Sequence, residues 1–196
     1  MIKIRVPATS ANLGPGFDCL GLALNIWNEV QFEPAEKLTY KVSGEGAEKL
    51  NKGRNMRGAA IQAKNEILMS SGLGSSAAAI VAGLFGANEM LCNPLSENDL
   101  LKLATDMEGH PDNVAPALLG GLVISVTAGD EIIARRYEVP QLTTVIVKPI
   151  VDWPTRTARA VLPKSVSRAD AVYNIGRAAL VVDSLRNGDL ELLKKI

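Results

Sequence analysis

Residues 72–79 read Gly-Leu-Gly-Ser-Ser-Ala-Ala-Ala and join a glycine-rich loop directly to a segment of strong helix formers. The two glycines permit backbone angles and close approaches that a Cβ would obstruct. The first amides of a helix have no partner within it, and the helix dipole adds partial positive charge there. The segment therefore predicts either a phosphate-binding loop or an ordinary loop with a serine N-cap.

The spelling of this loop excludes two common phosphate motifs. A Walker loop needs a lysine after its second glycine, and none follows Gly74. A dinucleotide fingerprint needs a third glycine where Ala77 stands. The helix that follows is apolar almost all round from Ala77 to Phe85, so we expect it to be buried and to stop by Asn93-Pro94.

The charge balance and the cysteine content limit the classes of partner and compartment. Lys plus Arg and Asp plus Glu both number 21 in 196 residues, so no net field attracts nucleic acid or an acidic membrane. The two cysteines, Cys19 and Cys92, lack metal-type spacing and are predicted to be reduced core residues. Without a signal peptide or an apolar run of about 18 residues, the chain is expected to be cytoplasmic.

The order of alternating and helical segments predicts an α+β fold rather than a regular βαβ series. Strands are predicted at residues 2–7, 19–24, 28–33, 38–42, 122–126, 132–139 and 143–147. A capping box at residues 96–99 begins a helix whose apolar face comprises Leu100, Leu103, Ala104 and Met107, and which Gly109 ends. Further helices are predicted at 155–162, at 168–186 behind the cap Ser167, and from Leu190 onward.

Three further polar segments have residues suited to small-molecule chemistry. Residues 10–18 read Ser-Ala-Asn-Leu-Gly-Pro-Gly-Phe-Asp, and residues 108–116 read Glu-Gly-His-Pro-Asp-Asn-Val-Ala-Pro. The second of these segments has two carboxylates and an amide within six residues, which suits binding of a magnesium ion and orientation of a substrate hydroxyl. In residues 154–163, Thr155 and Arg159 share a helix face because they are four positions apart. Each segment alone is more often an ordinary loop, a structural histidine or a surface arginine.

Taken together, the four segments resemble the GHMP kinases. Residues 70–78 resemble the phosphate loop of that superfamily, with Leu68 in the place of its proline. Residues 10–18, 108–121 and 155–163 are similar to motifs of its homoserine kinase branch, with Pro154 in the place of a serine. The resemblance implies a GHMP kinase fold: an N-terminal ATP domain of the ribosomal-protein-S5-like α/β type at residues 1–145, and the start of a ferredoxin-like C-terminal domain at 146–196.

The resemblance also implies an activity and a role for each residue. It implies phosphorylation of the side-chain hydroxyl of L-homoserine by ATP with Mg²⁺, for threonine biosynthesis, in an enzyme for which a homodimer is a known family arrangement. The implied ATP-binding residues are Asn55, Ser70, Ser71, Gly72, Leu73, Gly74, Ser75, Ser76 and Ala77. The implied substrate-binding residues are Asn12, Asp18, His110, Asp112 and Arg159. The implied metal ligands are Ser76 and Glu108, and the implied catalytic residues are His110, Asp112 and Thr155.

Two departures from the family pattern keep alternatives open. Asn55-Met56 and Gly58-Ala59-Ala60 resemble the adenine-side segment and its short helix, but the path from Ala60 to Ile67 is too short for the further helical turn and strand of the family. The 196 residues also do not include the third glycine-rich motif of the family. The alternatives are another GHMP kinase, such as a mevalonate kinase, or a nucleotide-binding chain with little or no turnover.

Overall fold

The structure is a computed structural model in which residues 1–50, 58–147 and 155–196 are described. The strands of these residues are β1 (Ile2–Ala11), β2 (Leu20–Ala35), β3 (Thr39–Gly44), β4 (Gly58–Asn65), β5 (Leu122–Ala128) and β6 (Glu131–Tyr137). The helices are α1 (Ala47–Leu50), α2 (Ser75–Met90), α3 (Glu97–Glu108), α4 (Pro111–Leu119), α5 (Thr155–Ala160), α6 (Arg168–Asn187) and α7 (Leu190–Leu193). The mixture of one sheet with separate helices confirms the predicted class.

The sheet is organised around β2, the longest strand. Its 16 residues pair with β1 along one edge, and with β4 and β5 at opposite ends of the other edge, all antiparallel. β3 then adds to β4 in parallel, and β6 adds to β5 in antiparallel orientation. This arrangement brings the end of β1 and the beginning of β2 close to the helices that carry the polar segments.

The predicted strands at 19–24 and 28–33 are one continuous strand, so the separation between them was wrong. β1 pairs Pro7 with Trp27 but Ala8 with Leu24, which leaves Asn25 and Ile26 as additional residues in β2. A β-bulge accommodates such residues by bending the strand without ending it. The same pairing extends β1 through Ala11, four residues beyond the predicted strand.

Helix α2 packs against β1 with one face, so the expectation of burial on every side was only partly right. Ala77, Ala78 and Val81 belong to the core, whereas Ala79 and Gly83 are exposed. The exposed positions carry small residues, which keeps the apolar area presented to water low. The helix ends at Met90, ahead of the predicted stop at Asn93-Pro94.

Helix α3 confirms the predicted capping box and the glycine at its end. The side chain of Ser96 accepts a hydrogen bond from the backbone N–H of Asp99, and Gly109 adopts the left-handed conformation with φ of 95°. The predicted buried face was wrong at two of its four positions, because Leu103 and Met107 are 40% and 63% exposed. The helix turns Leu101 and Thr105 inward instead, beside Leu100 and Ala104.

Three other local predictions differ from the structure. Residues 58–60 were expected to be a short helix but begin β4, which fills the place between β2 and β3. Residues 143–147 were expected to form a strand, yet no described strand pairs with them, and Val145 and Val147 are 84% and 85% exposed. Cys92 was expected in the core but is exposed at the end of α2, where its φ is 64°. Both cysteines are free.

The C-terminal helices reach the same core as the sheet. α6 extends behind its Ser167 cap, as predicted, and Gly188 ends it in the left-handed conformation. Val181 and Leu185 of this helix are buried in the core. No described helix is long and apolar enough to cross a bilayer.

Candidate functional site

A cavity of about 780 Å³ brings the separate polar segments of the sequence together. Residues 70–76 form one wall, and the other walls come from the β1–β2 connection, the α3–α4 junction and α5. A cavity of this volume is in the range that holds a small ligand. All four predicted motifs therefore contribute to one site.

The predicted phosphate loop is held in place on both sides, by hydrogen bonds before it and by its own glycine conformations. The side-chain oxygen of Asn28, a buried residue of β2, accepts hydrogen bonds from the N–H groups of Glu66 and Ile67 at 2.8 and 3.0 Å. Gly72 and Gly74 both have positive φ, 74° and 65°, so the chain curls between the sheet and α2. Leu68, which replaces the family proline, is exposed on the cavity wall.

The beginning of α2 presents unpaired amides at the end of this loop. Its N-cap is Gly74, and no side chain caps the helix there. The first helical N–H groups are consequently available to a ligand, at the positive end of a 16-residue helix. Ser75 and Ser76 line the cavity, whereas the side chain of Ala77 is fully buried in the core. Ala77 can therefore serve a ligand only through its backbone.

The two predicted metal ligands meet at the mouth of the cavity. Ser76 lies in the first turn of α2, and Glu108 is the last residue of α3. The Ser76 hydroxyl donates a short hydrogen bond to the Glu108 carboxylate, and both residues line the cavity. The packing of α3 against α2 thus places a hydroxyl and a carboxylate side by side.

His110 and Asp112 form a coupled pair at the start of α4. Nδ1 of His110 lies 2.5 Å from Oδ1 of Asp112, which is fully buried in the first turn of the helix. Its other oxygen, Oδ2, has no hydrogen-bond partner among the described residues. His110 lines the cavity, whereas Asp112 lies behind it. Asp112 therefore meets the cavity only through its contact with His110, and its predicted contact with substrate stays a prediction.

The pKa of the His110 imidazole is raised above its ordinary value. The hydrogen bond with Asp112 is the main cause, and the negative charges of Asp112 and Glu108 act in the same direction. Burial and the positive charge of Arg159 oppose the shift and lower the pKa. The site therefore favours an imidazolium at this position over a wider pH range than a free histidine would allow.

Among the predicted substrate-binding residues, Asn12 and Arg159 line the cavity, and Asp18, which is not among its lining residues, contacts both. Arg159 of α5 donates two hydrogen bonds to Asp18, from Nη1 to Oδ2 at 2.9 Å and from Nη2 to Oδ1 at 2.5 Å. The Asn12 side-chain oxygen accepts a hydrogen bond from the N–H of Asp18 at 3.0 Å, which closes the loop between β1 and β2. Asn12 and Asp18 both have positive φ, 69° and 58°. Backbone strain of this kind is concentrated at ligand sites.

Two predicted residues are beyond what the structure describes. Asn55 lies outside the described residues, so the adenine-side prediction is not tested. Thr155 begins α5, but its side chain is outside the described part of the chain. Both assignments remain predictions.

Two residues contribute to the site without having been predicted from the sequence. Phe17 is half exposed on the cavity wall, and its ring lies beneath Arg159, whose Cζ is 5.3 Å from the ring centroid. The signal available in the sequence was an aromatic residue next to Asp18 in a glycine-rich loop. Thr9 is fully buried under the phosphate loop and donates a hydrogen bond to Asn113 at 2.9 Å. Thr9 lies beyond the strand predicted at residues 2–7, and no sequence signal distinguished it from an ordinary loop residue.

Similarity to known proteins agrees with this geometry. Residues 21–121 match the family model described as the GHMP kinases N terminal domain. The homoserine kinase of Desulfitobacterium hafniense is 43% identical over the whole chain, which spans 72% of that protein. The homoserine kinase of Moorella thermoacetica is 44% identical, with the same coverage of both chains. The crystal structure of homoserine kinase from Cytophaga hutchinsonii superimposes with a TM-score of 0.78 at 30% identity, covering 99% of this chain and 70% of that one.

Proposed function

The chain belongs to the GHMP kinase family, and we propose on that premise that it transfers the γ-phosphoryl group of ATP to the side-chain hydroxyl of L-homoserine. The product is O-phospho-L-homoserine, a precursor for threonine. One observation carries the choice of acceptor: Arg159, paired with Asp18, lines the same cavity as the phosphate loop. A charge pair of this kind fits an amino acid.

The acceptor side offers one charged group for each end of an α-amino acid. The Arg159 guanidinium can bind a carboxylate through two parallel hydrogen bonds, as it binds Asp18 in this structure. Asp18 is then free to bind the substrate ammonium group. Mevalonate has a carboxylate but no ammonium group, so it would leave Asp18 without a partner. The pair therefore favours homoserine over mevalonate.

The nucleotide side uses the loop and the beginning of α2. The unpaired amides of this helix and the hydroxyls of Ser75 and Ser76 suit the β- and γ-phosphates. In the transfer, the acceptor hydroxyl oxygen forms a bond to the γ-phosphorus, and the bond from that phosphorus to the bridging oxygen breaks. ADP is released, and the hydroxyl proton leaves to solvent. The protein contributes mainly by positioning and by neutralising charge.

The residues at the cavity mouth fit a magnesium ion. Mg²⁺ prefers oxygen ligands and is commonly held by one or two carboxylates together with substrate phosphates and water. Ser76 and Glu108 supply a hydroxyl and a carboxylate in contact. Bound there, the ion would neutralise charge on the transferred phosphoryl group.

The pair of His110 and Asp112 is assigned first to orienting the acceptor. Phosphoryl transfer through a loose transition state needs little help from a general base. His110 lines the cavity, and its raised pKa favours the charged ring, which is a donor at both nitrogens. We assign Thr155 to the same acceptor side from its place in the motif. The division into domains at residue 145, the cytoplasmic location and a homodimer also remain predictions.

An acceptor comparison tests the proposal directly. Purified protein with ATP and Mg²⁺ is assayed for ADP release with L-homoserine, with mevalonate and with no acceptor, and the product is identified by ³¹P NMR. We expect release that depends on homoserine, with a new phosphate monoester signal. Release with mevalonate alone would assign a different GHMP activity. Tight ATP binding without release for either alcohol would indicate a nucleotide-binding protein without turnover.

A further inference from the structure

Thr9 lies at the point where the sheet, the phosphate loop and α4 meet. It is fully buried in β1 and is not among the residues that line the cavity. Its backbone N–H donates a hydrogen bond to the carbonyl of Leu73 at 3.1 Å. Its hydroxyl donates to the side-chain oxygen of Asn113, in α4, at 2.9 Å. One residue therefore holds two elements of the site that are far apart in sequence.

The contact between Thr9 and the loop is close as well as polar. A Cβ built on Gly74 would lie 2.0 Å from Oγ1 of Thr9 and 3.1 Å from Oδ1 of Asn113. The hydroxyl thus occupies the space that a side chain at Gly74 would need. Gly74 is the N-cap of α2, so this contact sets how close the end of the loop and the first turn of the helix approach the strand.

The chemistry of threonine suits a fixed contact of this kind. Two heavy atoms on its Cβ restrict rotation about χ1, so the direction of the hydroxyl is held by the strand backbone. The acceptor residue, Asn113, follows His110 and Asp112 in the same helical segment and itself lines the cavity. Through its contacts with Leu73 and Asn113, Thr9 consequently links the loop on the nucleotide side to α4 on the acceptor side.

We propose that Thr9 is a positioning residue that holds the phosphate loop against α4 in the geometry needed for phosphoryl transfer. The proposal rests on the proposed kinase function. It gives Thr9 no contact with either substrate, because the residue acts through Gly74 and Asn113. A misplacement of about 1 Å at reacting groups can slow catalysis about a hundredfold, so a modest shift of the loop is enough to matter.

The test compares two substitutions of Thr9 with a matched control. Thr9→Val keeps the shape but removes the donor, and Thr9→Ser keeps the donor. Thr105→Val makes the same change at another buried threonine, whose hydroxyl donates to the carbonyl of Leu101 within α3. We expect Thr9→Val to lower kcat and raise the KM for ATP by about tenfold or more. Thr9→Ser and Thr105→Val should stay within about threefold of the parent.

Thermal unfolding and direct nucleotide binding separate this role from a structural one. If Thr9→Val lowers Tm as Thr105→Val does and leaves both constants of the folded enzyme unchanged, Thr9 is only a core residue and the proposal is wrong. If Thr9→Val does not fold, Thr9→Cys replaces it, since a thiol is similar in size and a weaker donor. Thr9→Cys should then show the same direction of change, and parent-like constants would overturn the proposal.

The outcome can be distinguished from a failure of the proposed function. Binding of ATP is measured by calorimetry without any acceptor, so it does not require turnover. If the parent binds ATP but phosphorylates neither homoserine nor mevalonate, the kinase assignment fails while the effect of Thr9→Val on the ATP Kd still reports on the loop. A Kd unchanged by Thr9→Val would then overturn the positioning role independently.

Discussion

Arg159 and Asp18 form a two-point ion pair between residues 141 positions apart in the sequence. Their side chains are 37% and 35% exposed, so the pair contributes little to stability in water. The proposed function assigns each of the two groups to a substrate group of opposite charge. On the proposed function, a zwitterionic substrate would replace this single ion pair by two.

We expect Arg159→Lys to raise the KM for L-homoserine by about 10- to 100-fold, with a smaller effect on the KM for ATP. The lysine keeps the charge but cannot make two parallel hydrogen bonds, and charge-assisted bonds contribute about 1.5–3 kcal/mol each. Steady-state kinetics with each substrate varied in turn measures both constants.

The control for this prediction is Arg136→Lys. Arg136 lies on β6 and forms an exposed ion pair with Glu138, just after the strand. This substitution should leave both KM values unchanged. Equal effects of Arg159→Lys on the two KM values would contradict a role confined to the acceptor.

The parts of the site that lie close in sequence were the parts that could be predicted. The loop, the helix after it and the helix ends at Ser96 and Gly109 follow from glycine geometry and capping, which are local properties. The contact of Ser76 with Glu108 was reached only through resemblance, since it depends on how two helices pack. The contact of Thr9 with Asn113 was missed for the same reason.

The errors in the fold also have identifiable physical causes. Along α3 the helical period allows two inward faces, one with Leu103 and Met107 and one with Leu101 and Thr105, and only the neighbouring helices decide between them. Residues 143–147 have the composition of a strand, but a strand also needs a partner, and β-propensity does not provide one.

Gly74 and Gly72 should differ strongly in their tolerance of alanine. Both have positive φ, so backbone strain alone should lower the free energy of unfolding by about 1 kcal/mol in each variant. A Cβ at Gly72 meets no atom within 4 Å, whereas one at Gly74 collides with Thr9. We therefore expect Gly74→Ala to weaken ATP binding by about tenfold or more, and Gly72→Ala much less, as measured by calorimetry.

Gly129→Ala provides the control for backbone strain alone. Gly129 follows β5 directly, has φ of 64°, and has open space where its Cβ would be. Gly129→Ala should therefore destabilise the protein by about as much as Gly72→Ala does, and it should leave the Kd for ATP unchanged. If Gly74→Ala binds ATP as tightly as Gly129→Ala does, the contact with Thr9 is relieved without displacing the loop, and the prediction is wrong.

Ser76→Ala and Glu108→Gln should both raise the Mg²⁺ concentration needed for half-maximal activity. Ser76→Ala removes the hydroxyl, and Glu108→Gln replaces the charged carboxylate by a neutral amide, so we expect a shift of about tenfold in each case. Titration of activity with MgCl₂ at fixed ATP measures it. Asp106→Asn is the matched control, because this carboxylate on α3 is exposed and pairs with Lys102. Equal shifts in Glu108→Gln and Asp106→Asn would argue for a general loss of negative charge.

The single histidine of the chain allows the pair with Asp112 to be tested by NMR without resonance assignment. We expect the imidazole of His110 to titrate above its ordinary pKa of 6.5, because Asp112 accepts its proton in a hydrogen bond. Asp112→Asn removes that charge and should lower the midpoint. Arg159→Ala should raise it, since the guanidinium opposes protonation. A midpoint insensitive to Asp112→Asn would contradict the coupling.

The same shift makes a signed prediction for stability. A pKa raised on folding means that the folded state binds the proton more tightly than the unfolded state does. The resulting stabilisation is complete at pH values below the unfolded pKa near 6.5. It is lost as the pH rises through the pKa of the folded state. The parent should therefore have a higher free energy of unfolding than His110→Gln, and this difference should be larger at about pH 5.5 than at about pH 9. Urea unfolding at both pH values measures this difference, and an equal difference at both would show that the proton on His110 does not contribute to stability.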